Sequence, residues 1–396
     1  MEKISRFLAL EGNIRVLAVQ TLLSQIGLGM FYVIWQPYLL STGITLAQLG
    51  IVQTVINIST GLGLFFWGHF SDTHGRKPVI ILTILCRIVA MLFLITYHSY
   101  WAFMGFGAFM GLTAMFNMGN PARSSLITES VDITRRATAL STLTTVAQAT
   151  STIVATIGGY IALEMGYAPI FYLMVIGDTI GAIYCTKYLK ETLEKKSQPK
   201  KLSIRERIKH SFAPEPHLIR LYVALLMMGF SYTVTYSLLY GALTETFGFT
   251  TIELGLMTTG FNLMWALDSI PLGKIVDRIG RKRGIFMSNI MALVTPIGFL
   301  FSHRIELFVL FYAFQGMDIG FWMPSYISYI TEVVDQEKRS IVFGKLDAYG
   351  KLGSLPGAWI AGLMYERYGF YSPLYIQIIF LAIVTVMLLG LKDPEQ

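Results

Sequence analysis

Long apolar runs bounded by charged residues recur twelve times along this chain, near 14–40, 47–70, 78–97, 101–125, 137–162, 168–189, 218–241, 252–275, 285–303, 306–331, 341–364 and 372–392. Most of them reach the ~20 residues that a helix needs to cross the hydrocarbon core of a bilayer. They far exceed the ~10 residues of a membrane-barrel strand and lack its in-and-out alternation. Hydrocarbon tolerates only backbone whose hydrogen bonds close internally, so the spans are expected to be helices. The expected fold class is an all-α integral membrane protein. Composition agrees, since only 14% of the 396 residues are charged and 54% are hydrophobic, against roughly 25% charged in soluble domains. A soluble globule is excluded on that ground.

The first run is too long for a signal peptide and has no small-residue cleavage site, so it is expected to stay as a span. Cys86 and Cys185 both fall in apolar runs without CxxC spacing, which predicts two buried free thiols and no thiolate metal site. No GxxxxGK[ST] loop, HExxH pair or His/Cys cluster occurs, so no ATP-driven pump, enzyme, catalytic residue, metal or cofactor is expected. A net charge of +7 raises the question of nucleic acid, but membrane topology accounts for it better. With the N-terminus inside, Arg304 and Arg367 are the basic residues left in outer loops, and Arg87, Lys345 and Lys351 fall within spans. The rest of the 31 Lys and Arg gather on or near the opposite side. The positive-inside rule then places both termini in the cytoplasm of a multi-pass plasma-membrane protein.

Between the sixth and seventh runs lies the polar stretch KETLEKKSQPKKLSIRERIKHSFAPEPH, with Lys190, Lys195, Lys196, Lys200, Lys201, Arg205, Arg207 and Lys209. It reads as a cytoplasmic linker, residues 191–217, between an N-terminal six-helix bundle, 1–190, and a C-terminal one, 218–396. A lipid-headgroup or partner-binding patch is the alternative reading. The two halves repeat one another. GHFSDTHGRK at 68–77 matches GKIVDRIGRK at 273–282, and Asn57 matches Asn262 at the same offset. Further on, Pro121, Glu129, Asp132 and Arg136 match Pro324, Glu332, Asp335 and Arg339, as Gly159 and Gly166 match Gly362 and Gly369. One six-helix unit has been used twice, and because six is even the copies share an orientation and are related by an axis along the membrane normal.

The repeated Gly-x-x-x-Asp-x-x-Gly-Arg-Lys motif sits at the ends of the second and eighth spans. Gly68 and Gly273 are expected to admit a neighbouring helix closely. Asp72 and Asp277 can accept hydrogen bonds from free N–H groups at a facing helix start. Gly75 and Gly280 suit the tight turn, and Arg76, Lys77, Arg278 and Arg281 hold the loop at the cytoplasmic face.

Twelve spans in two parallel six-helix repeats, each carrying this loop, resemble the major facilitator superfamily of secondary transporters over essentially the whole chain. The resemblance implies two pseudo-symmetric bundles that rock about a central cavity, with the motif as a gating latch. Carried onto this chain, Asp72 should face the start of the eleventh span at 339–344 and Asp277 the start of the fifth at 136–140. The chain departs from the pattern at Thr73, where the family usually has a basic residue. Gly107 stands at the position where proton-coupled exporters often carry an Arg, and VATIGG at 154–159 lacks their Gly-Pro signature, two absences that argue against a standard drug-proton antiporter.

Ionisable side chains at mid-membrane cost ~2.5–3.5 kcal/mol on insertion scales and so call for partners or water. Asp268, Asp318, Asp347 and Lys351 are expected to form a charge cluster for proton or other cation coupling, with permanent pairing and contact to a charged substrate as the alternatives. Lys345 is expected to snorkel. Arg87 and Asp178, at similar depth on outer spans, are expected to form a structural ion pair. Gln25, Tyr32, Gln36, Asn57, Asn117, Asn120, Gln148, Tyr236, Asn262, Trp265, Gln315 and Trp322 are candidates for lining the substrate cavity, each with interhelical packing as its ordinary alternative.

The expected function is secondary active transport of a small-molecule substrate across the lipid bilayer by a monomer, with export of amphipathic compounds slightly favoured. Uptake of a polar, sugar-like nutrient and a non-transporting membrane receptor on the same fold are the alternatives.

Overall fold

The computed structural model describes residues 9–113, 120–132, 135–193, 213–335 and 338–391. Among these the regular structure is helical throughout. The first half supplies α1 (Gly12–Ser41), α2 (Leu46–His74), α3 (Arg76–Thr96), α4 (Tyr100–Leu112), α5 (Pro121–Glu129), α6 (Arg136–Met165) and α7 (Ala168–Tyr188). A 3-10 turn at Pro216–Leu218 leads into α8 (Ile219–Tyr236), α9 (Leu239–Phe247), α10 (Thr251–Ile279), α11 (Arg281–Leu300), α12 (Ile305–Val333), α13 (Arg339–Ser354), α14 (Gly357–Tyr368) and α15 (Tyr371–Leu389).

Nine helical stretches among the described residues are long and apolar enough to cross a membrane. The other three expected spans are helical over most of their described residues. The fourth has α4 and α5 on either side of residues 114–119, which lie outside the described residues, α10 carries Asp268, Lys274 and Asp277, and the eleventh is divided into α13 and α14 and carries Lys345, Asp347 and Lys351. Pro121 opens α5 with Asn120 as its cap, whose Oδ1 accepts the N–H of Ala122 at 3.0 Å. Pro356 stands immediately before α14. These prolines sit where a missing N–H costs nothing. Pro37, Pro271, Pro296 and Pro324 instead lie inside α1, α10, α11 and α12.

The repeat seen in the sequence is present in the backbone. Gly75 and Gly280, at φ +107° and +92°, turn the chain between α2 and α3 and between α10 and α11. Gly166 and Gly369 end α6 and α14, both at φ +78°. L-residues with a Cβ are strained in this region, which is why glycine stands at all four positions.

By contact the chain divides into one unit of Met1–Ile44, Val52–Lys196 and Thr250–Gly255 and a second of Thr45–Ile51, Ser197–Phe249 and Leu256–Gln396. In the first, α1 packs on α6 and α7, and α3 on α4 and α7. In the second, the equivalent helices pair the same way, α8 on α13 and α15, and α11 on α12 and α15. Each unit has its own core, with Ile14, Leu17, Val79, Ile84 and Leu126 in the first and Tyr222, Ile285, Tyr329, Leu346 and Leu381 in the second. Leu62, Phe65, Ile153, Ile183, Leu267 and Val386 point outward. Such apolar exposure suits a surface solvated by lipid.

Candidate transport sites in the two units

The two motif loops build matching charge networks. In the first unit Arg76 donates to Asp72 at 2.5 Å and lies 3.2 Å from Glu129. In the second, Arg281 lies 2.9 Å from Glu332 and 4.0 Å from Asp277. The repeated Arg therefore ties the motif Asp to the Glu that ends the next repeated segment, a link that the spacing alone did not disclose. The first network reaches further. Glu191, just past α7, accepts the N–H groups of Arg76 and Lys77 at 2.9 and 3.0 Å, and Thr192 donates to Glu129 at 2.5 Å. Burial works to raise the Glu191 carboxyl, but the N–H groups of Leu193, Arg76, Lys77 and Thr192 hold it below its ordinary value. Lys77 donates to the carbonyl of Thr186 at 2.8 Å, while Arg278 forms no ion pair among the described residues. The close helix approach expected at both motif glycines is not there. Gly68 has only ordinary contact with Pro121, and Gly273 faces open space.

Arg87 on α3 and Asp178 on α7 are joined by two hydrogen bonds of 2.5 Å, with Asp178 fully buried. The pair continues into a chain of polar groups. Arg87 also donates to Ser24 at 2.9 Å, Gln20 donates to the same hydroxyl at 2.8 Å, and Arg123 donates to the Gln20 carbonyl oxygen at 2.8 Å and to Thr21. These side chains border a cavity of about 160 Å³ between α1, α3, α5 and α6, which Gln25 and Asn120 also line. Sequence reasoning misses Arg123. It stands at the edge of its span and reads as one more cytoplasmic cation.

In the second unit, Asp318 on α12 is buried and accepts three hydrogen bonds. Tyr232 donates at 2.6 Å, Ser288 at 2.5 Å and Gln315 at 2.7 Å. Lys351 is not among its partners. The four charges expected as one cluster are not brought together, since no ion pair among the described residues joins them. Asp347 and Lys351 are exposed, and Asp268 is half-buried beside Gly320 with one oxygen lacking a hydrogen-bond partner among the described residues. Lying within spans of the same half does not bring charges together when the groups that reach Asp318 are neutral donors instead. Lys345 does not simply snorkel but pairs with Glu215 at 2.7 Å. Burial works to raise the Glu215 carboxyl, and the Lys345 and Tyr222 hydrogen bonds hold it below its ordinary value.

An aromatic run leads away from Asp318. Ring centroids are 5.8 Å apart for Tyr232 and Tyr236, 6.1 Å for Tyr236 and Tyr312, 5.4 Å for Tyr312 and Phe261, and 6.1 Å for Phe261 and Trp265. Tyr236 keeps a buried hydroxyl without a hydrogen-bond partner among the described residues. The remaining cavity candidates are dispersed. Gln36 and Asn262 are buried, Gln148 is half-buried, and Tyr32 is exposed. Asn57 accepts from Gln53 at 3.0 Å, and Trp322 stacks on Tyr326 at 5.0 Å. Asn117 lies outside the described residues.

Solved structures of similar fold include a bacterial homologue of the iron transporter ferroportin in an inward-facing state. It has a TM-score of 0.77 at 12% identity, covering 95% of this chain and 97% of that one. The nucleoside transporter NupG has a TM-score of 0.73 at 12% identity over 96% and 98% of the two chains. At these identities the likeness concerns the fold. Among curated sequences, the Multidrug resistance protein MdtG of Dickeya zeae (strain Ech586) is 22% identical over 86% of this chain and 82% of its own length. The Uncharacterized MFS-type transporter YqjV of Bacillus subtilis (strain 168) is 21% identical over 88% and 85%. The sequence profile of the Major Facilitator Superfamily matches residues 17–242 and 221–396. With helical spans, a duplicated six-helix unit and the motif loop in both copies, this multi-pass membrane transporter belongs to the Major Facilitator Superfamily.

Proposed function

We propose that the chain exports amphipathic compounds in exchange for protons, by alternating access of two bundles, residues 1–190 and 218–396, joined by a cytoplasmic linker at 191–217 with both termini inside. Asp318 is the proton-carrying group, and the two motif loops act as gates. The observation that carries the reading is the setting of Asp318. A buried carboxyl held by three neutral donors, with no cation paired to it among the described residues, can take up and release a proton without breaking an ion pair. Its protonation then follows which side admits water, the requirement for coupling proton movement to conformation.

The aromatic run from Tyr232 to Trp265 offers apolar faces with scattered hydroxyl groups, a surface for amphipathic solutes. The multidrug resistance relatives point the same way. In proteoliposomes, efflux of amphipathic fluorescent dyes is expected to rise with an imposed proton gradient in the wild type and to lose that dependence in Asp318→Asn. Gradient dependence unchanged in that variant removes Asp318 from the mechanism, and absence of any gradient effect in the wild type removes proton coupling altogether.

A further inference from the structure

The cavity of the first unit is bordered by two cations, Arg87 and Arg123, and by no carboxylate among the described residues. Arg87 is neutralised by Asp178. Arg123 has no such partner: its guanidinium is held by the neutral oxygens of Gln20 and Thr21, and no ion pair to it occurs among the described residues. The connected network Asp178–Arg87–Ser24–Gln20–Arg123 thus carries one unbalanced positive charge inside a membrane-spanning unit. Arg123 is half-buried, and a cation drawn out of water without a counter-charge is costly. The Gln20 and Thr21 contacts fix the guanidinium in place, and a planar fork of five N–H donors has more donors than two such acceptors use. The N-terminal end of α5, which carries Arg123 in its first turn, adds the positive end of a helix dipole.

We propose that this cavity binds the anionic group of an organic substrate, with the Arg123 guanidinium as counter-charge and its apolar wall holding the carbon skeleton. Leu28, Ile84, Ile127, Leu140 and Leu143 form that wall. A ligand here is a monovalent organic anion such as a carboxylate, because the site supplies one unbalanced positive charge next to hydrophobic surface. A bare inorganic anion would leave the apolar wall unused. The substrate role rests on the transport reading above, whereas the binding site itself does not.

The test uses the full-length protein purified in neutral detergent, with equilibrium binding of naphthoate, its uncharged counterpart naphthalene methanol, and chloride as competitor. The wild type is expected to bind naphthoate at least about tenfold more tightly than naphthalene methanol, the scale of one charge-assisted hydrogen-bonded contact. Arg123→Gln is expected to weaken naphthoate binding by about the same factor while naphthalene methanol binding is unchanged. Arg123→Lys keeps the charge and is expected to restore most of the affinity, which separates a counter-charge from a structural role. No preference for naphthoate in the wild type overturns the proposal without reference to any variant. So does equal naphthoate binding in wild type and Arg123→Gln, or full displacement of naphthoate by chloride at the same concentration as naphthoate itself. Naphthoate binding that depends on Arg123, together with no proton-driven flux, would keep the site and dismiss the coupling reading.

Discussion

Glu191 accepts the backbone N–H of Arg76 at 2.9 Å across 115 residues of sequence, closing the end of α7 onto the first turn of α3. The carboxylate thereby serves as the cap that Gly75, having no side chain, cannot provide. A side chain at Gly75 would run into that same carboxylate. The motif turn in the first unit is thus built by residues from both ends of the bundle.

Because the Glu191 carboxyl is held below its ordinary value, its contribution is present above the usual carboxylate range and is lost as pH falls through its folded value. An exposed carboxylate at a helix N-terminus is worth ~0.3–1 kcal/mol. Glu191→Gln is expected to lower thermal stability in detergent by that amount at neutral pH and to reduce the loss of stability on acidification. An acid limb identical to wild type would remove this capping role.

Asp178→Asn is expected to destabilise the protein by ~3–5 kcal/mol, because it leaves the Arg87 guanidinium buried without a counter-charge. The double variant Arg87→Met with Asp178→Leu should recover much of that loss, since both charges leave together. Thermal unfolding of the three proteins decides it. A double variant as unstable as the single one would mean that the pair also organises Ser24 and Gln20.

Lys345→Met removes the cation facing Glu215 at 2.7 Å in a half-buried setting. The expected loss is about 1–3 kcal/mol, between the values for exposed and buried pairs. The Glu215 carboxyl sits below its ordinary value, so the pair's contribution is present above the usual carboxylate range and is lost as pH falls through the folded value. The difference between wild type and Lys345→Met should therefore shrink on acidification. A constant difference would assign the effect to lost packing of the lysine stem.

Small residues set the crossing of α8 and α13. A Cβ at Gly229 would overlap the Gly350 carbonyl oxygen, and one at Gly353 would overlap the Leu226 carbonyl oxygen. Gly229→Ala or Gly353→Ala is expected to cost ~1–3 kcal/mol by overpacking, read as a lower unfolding temperature. Gly273→Ala meets open space and is expected to leave stability unchanged or raise it by up to ~1 kcal/mol through helix propensity.

The helical spans, their number, the duplication and the turns at Gly75 and Gly280 follow from the sequence by itself. Apolar length, a repeated motif and the φ values open to glycine are local properties, and hydrocarbon leaves the backbone few alternatives. The placement of Asp318 within a span is equally local, because it follows from the apolar run around it. Two of its partners are not: Ser288 reaches it because α11 packs on α12, and Tyr232 reaches it from α8, whereas Gln315 stands one turn back on α12 itself and Lys351 is exposed. The same limit hides Arg123, whose place in a cavity depends on which side of α5 faces α1, and Glu191, whose role as a cap depends on the return of α7 to α3. Only the tertiary structure decides such pairings, because the Coulomb and hydrogen-bond terms that choose a partner depend on distances between helices far apart in the chain.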